Sequence, residues 1–347
     1  MKNLFAIPLA VTAVTLLVLA MMFGVGWDRP PVAAEQIGFR GVGMETVSNP
    51  RVTAQLEALN QMPPPPYELT AEEIRDSPLA GEVYENVQVL GDLPEVQFTR
   101  LMAAITEWVA PEEGCGYCHN LENLADDSVY TKIVSRRMIQ MTWNINENWG
   151  NHVQETGVNC YTCHRGKNVP EYIWFENAGL PAAQGAMGWR NGQNIGSGGV
   201  AGTSLPYDPF SAYLVGDEPI RVQVQQALPA STGSTGGSIQ STEKTYALML
   251  HMSESLGVNC TYCHNSRAFG NWEQSPPART TAYHGIDMVR EMNTDYLVPL
   301  RDTYPENRLG PTGDAPKAYC STCHQGVNKP LLGAPMLEQW PSLAASP

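Results

Sequence analysis

The sequence predicts a mainly α-helical fold with extensive irregular loops. Hydrophobic residues make up 43% of the 347 positions, which is enough for a packed core. Apolar positions recur at helical spacing in several segments, and 27 prolines and 31 glycines punctuate the chain. We therefore expect helices joined by long loops, with little β-strand.

An apolar run extends from Leu4 to Trp27 and is interrupted only by small or weakly polar residues. About 20 apolar residues span the hydrocarbon core of a bilayer as a helix, whereas the core of a signal peptide has about 7 to 15. The length favours one N-terminal transmembrane helix that anchors the chain. Cleavage near Val32-Ala33-Ala34 is the alternative. Lys2 should stay cytoplasmic, which directs the rest of the chain to the periplasmic side of the inner membrane.

The cysteines carry the most specific pattern. All eight fall in CxxC pairs, and a histidine follows every pair. The segments are Cys115-Gly-Tyr-Cys118-His119, Cys160-Tyr-Thr-Cys163-His164, Cys260-Thr-Tyr-Cys263-His264 and Cys320-Ser-Thr-Cys323-His324. Two thiols at this spacing add to the vinyl groups of one porphyrin, and the histidine becomes an axial ligand of its iron. Zinc knuckles, disulfide frameworks and thioredoxin-like pairs do not need that histidine. The sequence therefore predicts four covalently bound c-type haems.

Helical periodicity and composition divide the chain. Helices are predicted at Val96–Val109, Ser128–Trp149, Glu243–Leu256 and Tyr283–Leu300. The predicted segments are 1–27, the N-terminal anchor or signal; 28–95, an extended proline-rich segment with little regular structure; 96–175, the first haem-pair half; 176–240, a connector rich in Gly, Pro and Ser, with extremes at 196–199 and 231–237; 241–330, the second haem-pair half; and 331–347, a C-terminal tail.

A short repeated sequence relates the two halves. Gly157-Val158-Asn159-Cys160 recurs as Gly257-Val258-Asn259-Cys260. It predicts two haem-pair halves that arose by internal duplication.

The formal charge of −14 argues against a nucleic-acid partner, because phosphates need a basic surface. Acidic residues gather around the first motif, with no lysine or arginine between Trp108 and Tyr130. We hypothesise that they form an acidic docking face for a basic soluble cytochrome c or a similar electron donor. They are Glu107, Glu112, Glu113, Glu122, Asp126 and Asp127.

The distal axial ligands cannot all be histidines. Of seven histidines, four close the motifs, and only His152, His251 and His284 remain. Methionine, with 14 residues, must supply several ligands if all four irons are six-coordinate.

With these motifs, helices and few histidines, residues 90–330 resemble the tetrahaem cytochrome subunit on the periplasmic face of photosynthetic reaction centres in purple bacteria. In that family three haems have His/Met ligation, with each methionine on the helix before its motif, and one haem is bis-His. The resemblance implies these pairs: Met102 with His119, Met138 with His164, Met249 with His264, and His152 with His324.

Other residues stay open as ligands. Methionine often fills core gaps, and Met141, Met252, Met288 and Met292 are alternatives. His251 and His284 are possible ligands, although a surface or propionate-contacting role suits each of them better.

The resemblance implies an electron-transfer protein rather than an enzyme. It would pass electrons from a soluble carrier, through four haems, to the photo-oxidised bacteriochlorophyll pair of a reaction centre in the photosynthetic membrane. Because His152 precedes the second motif but would serve the fourth haem, the haem order would be first, second, fourth, third, with the third nearest the membrane. The alternatives are a membrane-anchored tetrahaem quinol dehydrogenase, in a family that is compact and histidine-rich, and a multihaem reductase, which needs an open iron.

Overall fold

The chain folds mainly into α-helices joined by irregular segments, as the sequence predicted. The computed structural model describes residues 6–24, 33–37, 44–177, 196–220 and 239–346. The one sheet within these ranges is an antiparallel pair, β1 (Ala33–Gln36) and β2 (Glu45–Ser48). The helices are α1 (Ala6–Gly24), α2 (Pro50–Leu59), α3 (Ala71–Asp76), α4 (Ala80–Val83), α5 (Glu95–Val109), α6 (Tyr130–Asn148), α7 (Gly150–Val153), α8 (Cys160–His164), α9 (Ile239–Leu256), α10 (Ala278–Glu291) and α11 (Cys320–His324).

The first helix, α1, falls within the apolar run predicted as an anchor. Its residues from Pro8 to Gly24 are exposed. Among the described helices, none has both the length and the apolar character that crossing a bilayer requires. The predicted transmembrane helix is therefore not confirmed.

Residues 28–95 contain more regular structure than predicted. Helix α2 begins after Asn49, whose side chain accepts a hydrogen bond from the backbone N–H of Arg51. Helix α3 begins with a capping box, in which Thr70 and Glu73 satisfy each other's backbone N–H groups. These local capping signals outweigh the proline content, so the prediction of little regular structure is wrong for these helices. The four consecutive prolines lie in the irregular stretch between α2 and α3.

The helices around the motifs agree with the predicted ones. Helices α5, α6 and α9 each fall within a few residues of the predicted bounds. The predicted helix Tyr283–Leu300 is shifted. Helix α10 starts directly after Pro277 and ends at Glu291, and a π-turn and a 3-10 turn continue the chain to Asp302. Pro299 lies in that last turn, where a missing N–H group does not interrupt an α-helix.

The segment predicted as a connector contributes to the core. Val200, Phe210, Tyr213 and Leu214 are at most 4% exposed. They pack with Trp174 and with buried residues of α9 and α10 in one apolar cluster. Residues 196–220 of this segment thus form a packed element and not only a linker. The glycine- and serine-rich run 231–237 lies outside the described residues.

The predicted C-terminal tail is also part of the core. Trp340 is 3% exposed and lies edge-on to Trp108 of α5, with 4.9 Å between ring centroids. The guanidinium of Arg100 lies 4.3 Å from the Trp340 ring centroid. Trp143 of α6 donates its indole N–H to the carbonyl of Ser342 at 2.8 Å. The end of the chain therefore holds α5 and α6 together.

Candidate haem-binding sites

The four motifs adopt two local conformations. The second and fourth form the short helices α8 and α11, whereas the first and third form 3-10 turns at Gly114–Tyr117 and Cys260–Tyr262. Thr162 and Thr322 explain the difference. Each hydroxyl accepts a hydrogen bond from the backbone N–H of the residue before its helix, Asn159 or Tyr319, at 3.0 Å, as in a capping box. The first and third motifs have tyrosine at that position. Local geometry thus groups the second motif with the fourth, whereas the repeated sequence had related it to the third.

The turn after α8 and α11 ties each helix to a longer one. Arg165 and Gln325 adopt left-handed backbone angles, with φ of 50° and 49°. The next residue then donates its N–H across the interface, Gly166 to Trp108 of α5 and Gly326 to Ser255 of α9, each at 2.8 Å. The second motif is thereby fixed against α5, and the fourth against α9.

The second and fourth motifs lie side by side. Helices α8 and α11 contact each other. The nearby Cys323 thiol, together with burial, raises the pKa of Cys163. Haems attached to these two motifs would be neighbours.

Every motif histidine is held in the same tautomer by a backbone carbonyl. Because a carbonyl oxygen only accepts, Nδ1 must carry the hydrogen, which leaves the lone pair of Nε2 free to bind iron. The Nδ1 to oxygen distances are 3.1 Å from His119 to Leu124, 2.9 Å from His164 to Lys167, 3.0 Å from His264 to Phe269 and 3.0 Å from His324 to Val327.

Burial disfavours the charged form of the His164, His264 and His324 rings. It lowers the pKa of His324 to about 4, and it also lowers the pKa values of His164 and His264. A neutral imidazole is the form that coordinates a metal. The protonation state therefore suits iron ligation.

The second and fourth cysteine pairs do not fit a thioredoxin-like role. None of the eight forms a disulfide. Burial raises the pKa values of Cys160 and Cys320 to about 12, whereas the reactive cysteine of a thioredoxin-like pair needs a lowered pKa. The donor set is consistent with thiols whose role is to hold a porphyrin.

One cavity connects the first two motifs. Its volume is about 820 Å³, and Met102, His119, Met138 and His164 all line it. The remaining lining is largely apolar, including Val89, Ile105, Val109, Ile139 and Leu297. This size and lining suit a large planar apolar ligand. The structure thus brings both predicted His/Met pairs to one space.

The alternative methionines fall into two groups. Met141 and Met292 line the same cavity. Met252 and Met288 pack in the core around α9 and α10. All four belong to or pack against this core cluster, as the predicted ligands Met138 and Met249 also do, so core packing excludes none of them as a ligand.

His152 and His324 lie as close together as the two ligands of a bis-His haem would. Their ring centroids are 5.9 Å apart. With a metal–nitrogen bond of about 2 Å on each side, two imidazoles on one iron have centroids roughly 6 Å apart. His152 also donates its Nδ1 hydrogen to a carbonyl, that of Thr281 at 2.9 Å. Both rings thus present Nε2 in the form that binds iron.

The third predicted pair is less directly defined. Met249 lies on α9 and is partly buried against the core. His264 belongs to the motif that follows this helix, and neither residue lines the cavity described above. Hydrogen bonding from the Thr261 hydroxyl to the carbonyl of Glu45, at 2.7 Å, ties this motif to β2.

The two remaining histidines differ. His251 is 2% exposed, so it is not a surface residue. Its Nδ1 pairs with the carbonyl of Gly199 at 2.7 Å, and its Nε2 lies 3.3 Å from the Ser255 hydroxyl. Both nitrogens have partners, which fits a structural role. His284 lies on α10, with its ring 5.9 Å from that of Tyr283.

Gly285 of α10 lies directly against the imidazole of His152. A Cβ atom at this position would be 2.5 Å from Cε1 and 2.8 Å from Nδ1 of His152. We expect Gly285→Ala to push the ring away from the Thr281 carbonyl, since overpacking of this kind costs about 1–3 kcal/mol. Electron paramagnetic resonance should then show a changed signal for one low-spin haem.

Gly150→Ala is the matched control. Gly150 is two residues from His152 on α7, and a Cβ atom there would meet nothing within 4 Å. Its spectrum should equal that of the unsubstituted protein. Equal spectra for both variants would contradict the assignment of His152 as a ligand.

Sequence reasoning missed three features of these sites. Gly285 carried no signal, because its role depends on a contact between distant helices. The backbone carbonyls that orient the histidines belong to residues of any type. Thr162 and Thr322 could have been found, since threonine before the second cysteine marks the two helical motifs.

Known proteins resemble this chain over nearly all of its length. The profile of the family described as photosynthetic reaction centre cytochrome C subunit matches residues 28–344. The photosynthetic reaction center cytochrome c subunit of Rubrivivax gelatinosus is 48% identical over 344 residues, which cover 99% of this chain and 92% of that protein. Its namesake in Thermochromatium tepidum is 47% identical over 332 residues, covering 96% and 80%. Cytochrome c-554 of Chloroflexus aurantiacus is 28% identical over 301 residues, covering 71% and 69%.

Proposed function

The chain belongs to the photosynthetic reaction centre cytochrome c subunits, and on that premise we propose that it carries electrons from a soluble donor, through four covalently bound haems, to the photo-oxidised bacteriochlorophyll pair of a reaction centre. Electron transfer to a reaction centre, covalently bound haem and association with the photosynthetic membrane follow from the family. The quinol dehydrogenase alternative is not favoured, because these relatives match the chain almost from end to end.

The haem number and the attachment sites are supported by the motifs. Each of the four motifs combines two cysteines with a histidine whose Nε2 is free to bind iron. We infer thioether bonds at Cys115 and Cys118, Cys160 and Cys163, Cys260 and Cys263, and Cys320 and Cys323. When bound, each haem supplies a carrier for one electron.

The proposed axial pairs rest on geometry to different degrees. The distance between the rings of His152 and His324 supports the bis-His pair. The shared cavity supports Met102 with His119 and Met138 with His164. Met249 with His264 rests on the family pattern. Methionine ligation raises haem potentials and bis-His ligation leaves them lower, so we expect one haem to titrate below its His/Met neighbours.

Helix packing supports the haem order first, second, fourth, third. Helix α5, which precedes the first motif, contacts α8 of the second. Helix α8 contacts α11 of the fourth motif, and α11 contacts α9, which precedes the third. This chain of contacts follows the predicted order. In each half, the helix before the first motif of that half contacts the helix formed by its second motif: α5 contacts α8, and α9 contacts α11. This matching arrangement supports the proposed internal duplication.

The proposed donor surface surrounds the first motif. Glu107, Glu112, Glu113 and Glu122 are exposed there, beside the exposed apolar side chains of Leu121 and Leu124. Asp127 is paired instead with Arg136 and Lys132, so it contributes little to attraction over a distance. Oxidation of a basic soluble cytochrome c should slow as ionic strength rises. A rate independent of salt would exclude electrostatic steering by this surface.

The periplasmic side and the N-terminal anchor stay predictions. The anchor is tested by N-terminal sequencing of the mature protein in membranes. An intact start near Met1 would support retention, and a start near residue 35 would support cleavage.

Flash spectroscopy on native membranes tests the proposed function. With the haems reduced beforehand, one flash should oxidise a haem as the pigment pair recovers. A double variant, Cys260→Ser with Cys263→Ser, should abolish this rapid recovery, because the third haem is proposed to lie nearest the pair. The matched variant Cys115→Ser with Cys118→Ser should keep the first rapid recovery but slow re-reduction by the soluble donor. No haem response to light in the unsubstituted protein would contradict the function.

A further inference from the structure

Lys132 is a buried lysine beside the first motif. It lies in the first turn of α6 and is 7% exposed. Its ammonium donates to the carbonyl oxygens of Leu124 at 2.8 Å, Ala125 at 2.8 Å and Asp126 at 3.0 Å. Burying an ammonium is costly unless its donors are satisfied. The loop after His119 is therefore folded around this one charge.

The carbonyl of Leu124 serves two donors. It accepts from Lys132 and also from Nδ1 of His119, the latter at 3.1 Å. A carbonyl oxygen has two lone pairs and can accept both. The carbonyls of Lys167, Phe269 and Val327, which hold the other motif histidines, accept no second hydrogen bond within the described ranges. Among the described residues, only the first motif couples its histidine to a charged group in this way.

We propose that Lys132 is a positioning residue that raises the reduction potential of the haem at the first motif above the value set by its axial ligands. A carbonyl that accepts only from Nδ1 draws on that hydrogen and makes the imidazole a stronger electron donor, which favours oxidised iron. A lysine on the same oxygen weakens this hydrogen bond. Its positive charge also disfavours the more positive, oxidised iron. Both effects favour the reduced haem. The proposal rests on the proposed function only in requiring a haem at Cys115 and Cys118.

Asp127 supplies the opposing charge. Its Oδ1 lies 3.1 Å from the ammonium of Lys132 and 2.9 Å from the guanidinium of Arg136. Hydrogen bonding from Arg136 holds the pKa of Asp127 well below its usual range, so the carboxylate is charged. It partly cancels the field of Lys132. Removing it should shift the potential in the opposite direction.

Redox titration of the haem-loaded protein tests the proposal. In Lys132→Met, the midpoint potential of one of the four one-electron waves should fall by about 59 mV. At a fixed potential this shift changes the ratio of reduced to oxidised haem about tenfold. In Asp127→Asn the same wave should rise. A Met102→His variant identifies the wave that belongs to the first haem. Lys244→Met is the control, because Lys244 lies on α9 and pairs with Glu218.

The directions of the potential shifts in Lys132→Met and Asp127→Asn distinguish an electrostatic effect from a loosened loop. A loop that is merely loosened would move the wave in the same direction in both variants, and that result would overturn the proposal, as would an unmoved wave in Lys132→Met. If Lys132→Met does not assemble with haem, the sign of the Asp127→Asn shift decides. Flash oxidation of the haems in the unsubstituted protein is measured in parallel. Haem oxidation by the flash without the expected shifts in potential would contradict the role of Lys132 and leave the proposed function intact.

Discussion

Replacing His152 by methionine should raise the reduction potential of one haem and leave the other three nearly unchanged. The imidazoles of His152 and His324 have centroids 5.9 Å apart, as expected for two ligands of one iron. Methionine in place of one imidazole favours reduced iron. Axial ligands set haem potentials over a range of roughly 0.8 V, and we expect a rise on the order of 0.1 V. Redox titration measures this shift.

His284→Met is the matched control for this variant. His284 lies on α10, one position before Gly285, but is not assigned as a ligand. The His284→Met variant should leave the lowest of the four midpoint potentials unchanged. If His284→Met raises that potential and His152→Met does not, the ligand assignment is wrong. The absorption band of methionine-bound ferric haem should also gain intensity in His152→Met only.

Trp340→Ala should cause a large loss of stability. The side chain is 3% exposed and lies between Trp108 and the guanidinium of Arg100. Removing a buried tryptophan lowers the free energy of unfolding by about 3–5 kcal/mol, because contacts are lost and a cavity remains. Denaturant unfolding of the haem-loaded protein, followed by circular dichroism, measures the change.

Trp272→Ala provides the comparison. Trp272 is 51% exposed, and its main described contact is with Arg279, whose guanidinium lies 3.9 Å from the ring centroid. An exposed cation–π pair contributes only about 0.5–1 kcal/mol. Equal losses in both variants would mean that the end of the chain does not stabilise α5 and α6.

The helices beside the motifs were predictable because their apolar spacing is long and regular. Helices α5, α6 and α9 fall close to their expected positions for this reason. Other segments were misjudged from composition. Proline and glycine suggested loose chain at 28–95 and 176–240, yet capping at Thr70 and the burial of Tyr213 and Leu214 produce ordered structure.

The candidate sites were predictable where chemistry fixes the spacing. Two cysteines and a histidine must be adjacent in sequence to serve one haem, so the motifs are visible directly. Distal ligands come from elsewhere in the chain, and only the family pattern selected Met138 over Met141, which lines the same cavity. The approach of His152 to His324 brings α7 together with α11, which lie far apart in the sequence, so no local pattern encodes it.

The carbonyls that orient the iron-binding rings have an evolutionary consequence. The acceptors belong to Leu124, Lys167, Phe269, Val327 and Thr281, which share no side-chain chemistry. Because the main chain supplies the oxygen, side chains at these positions can drift without releasing the rings. Selection would instead preserve the course of the backbone. It would do so by keeping the loop length and the residues that tolerate left-handed backbone angles. Insertions and deletions in the loops that carry the first four of these acceptors should therefore be rarer among homologues than substitutions.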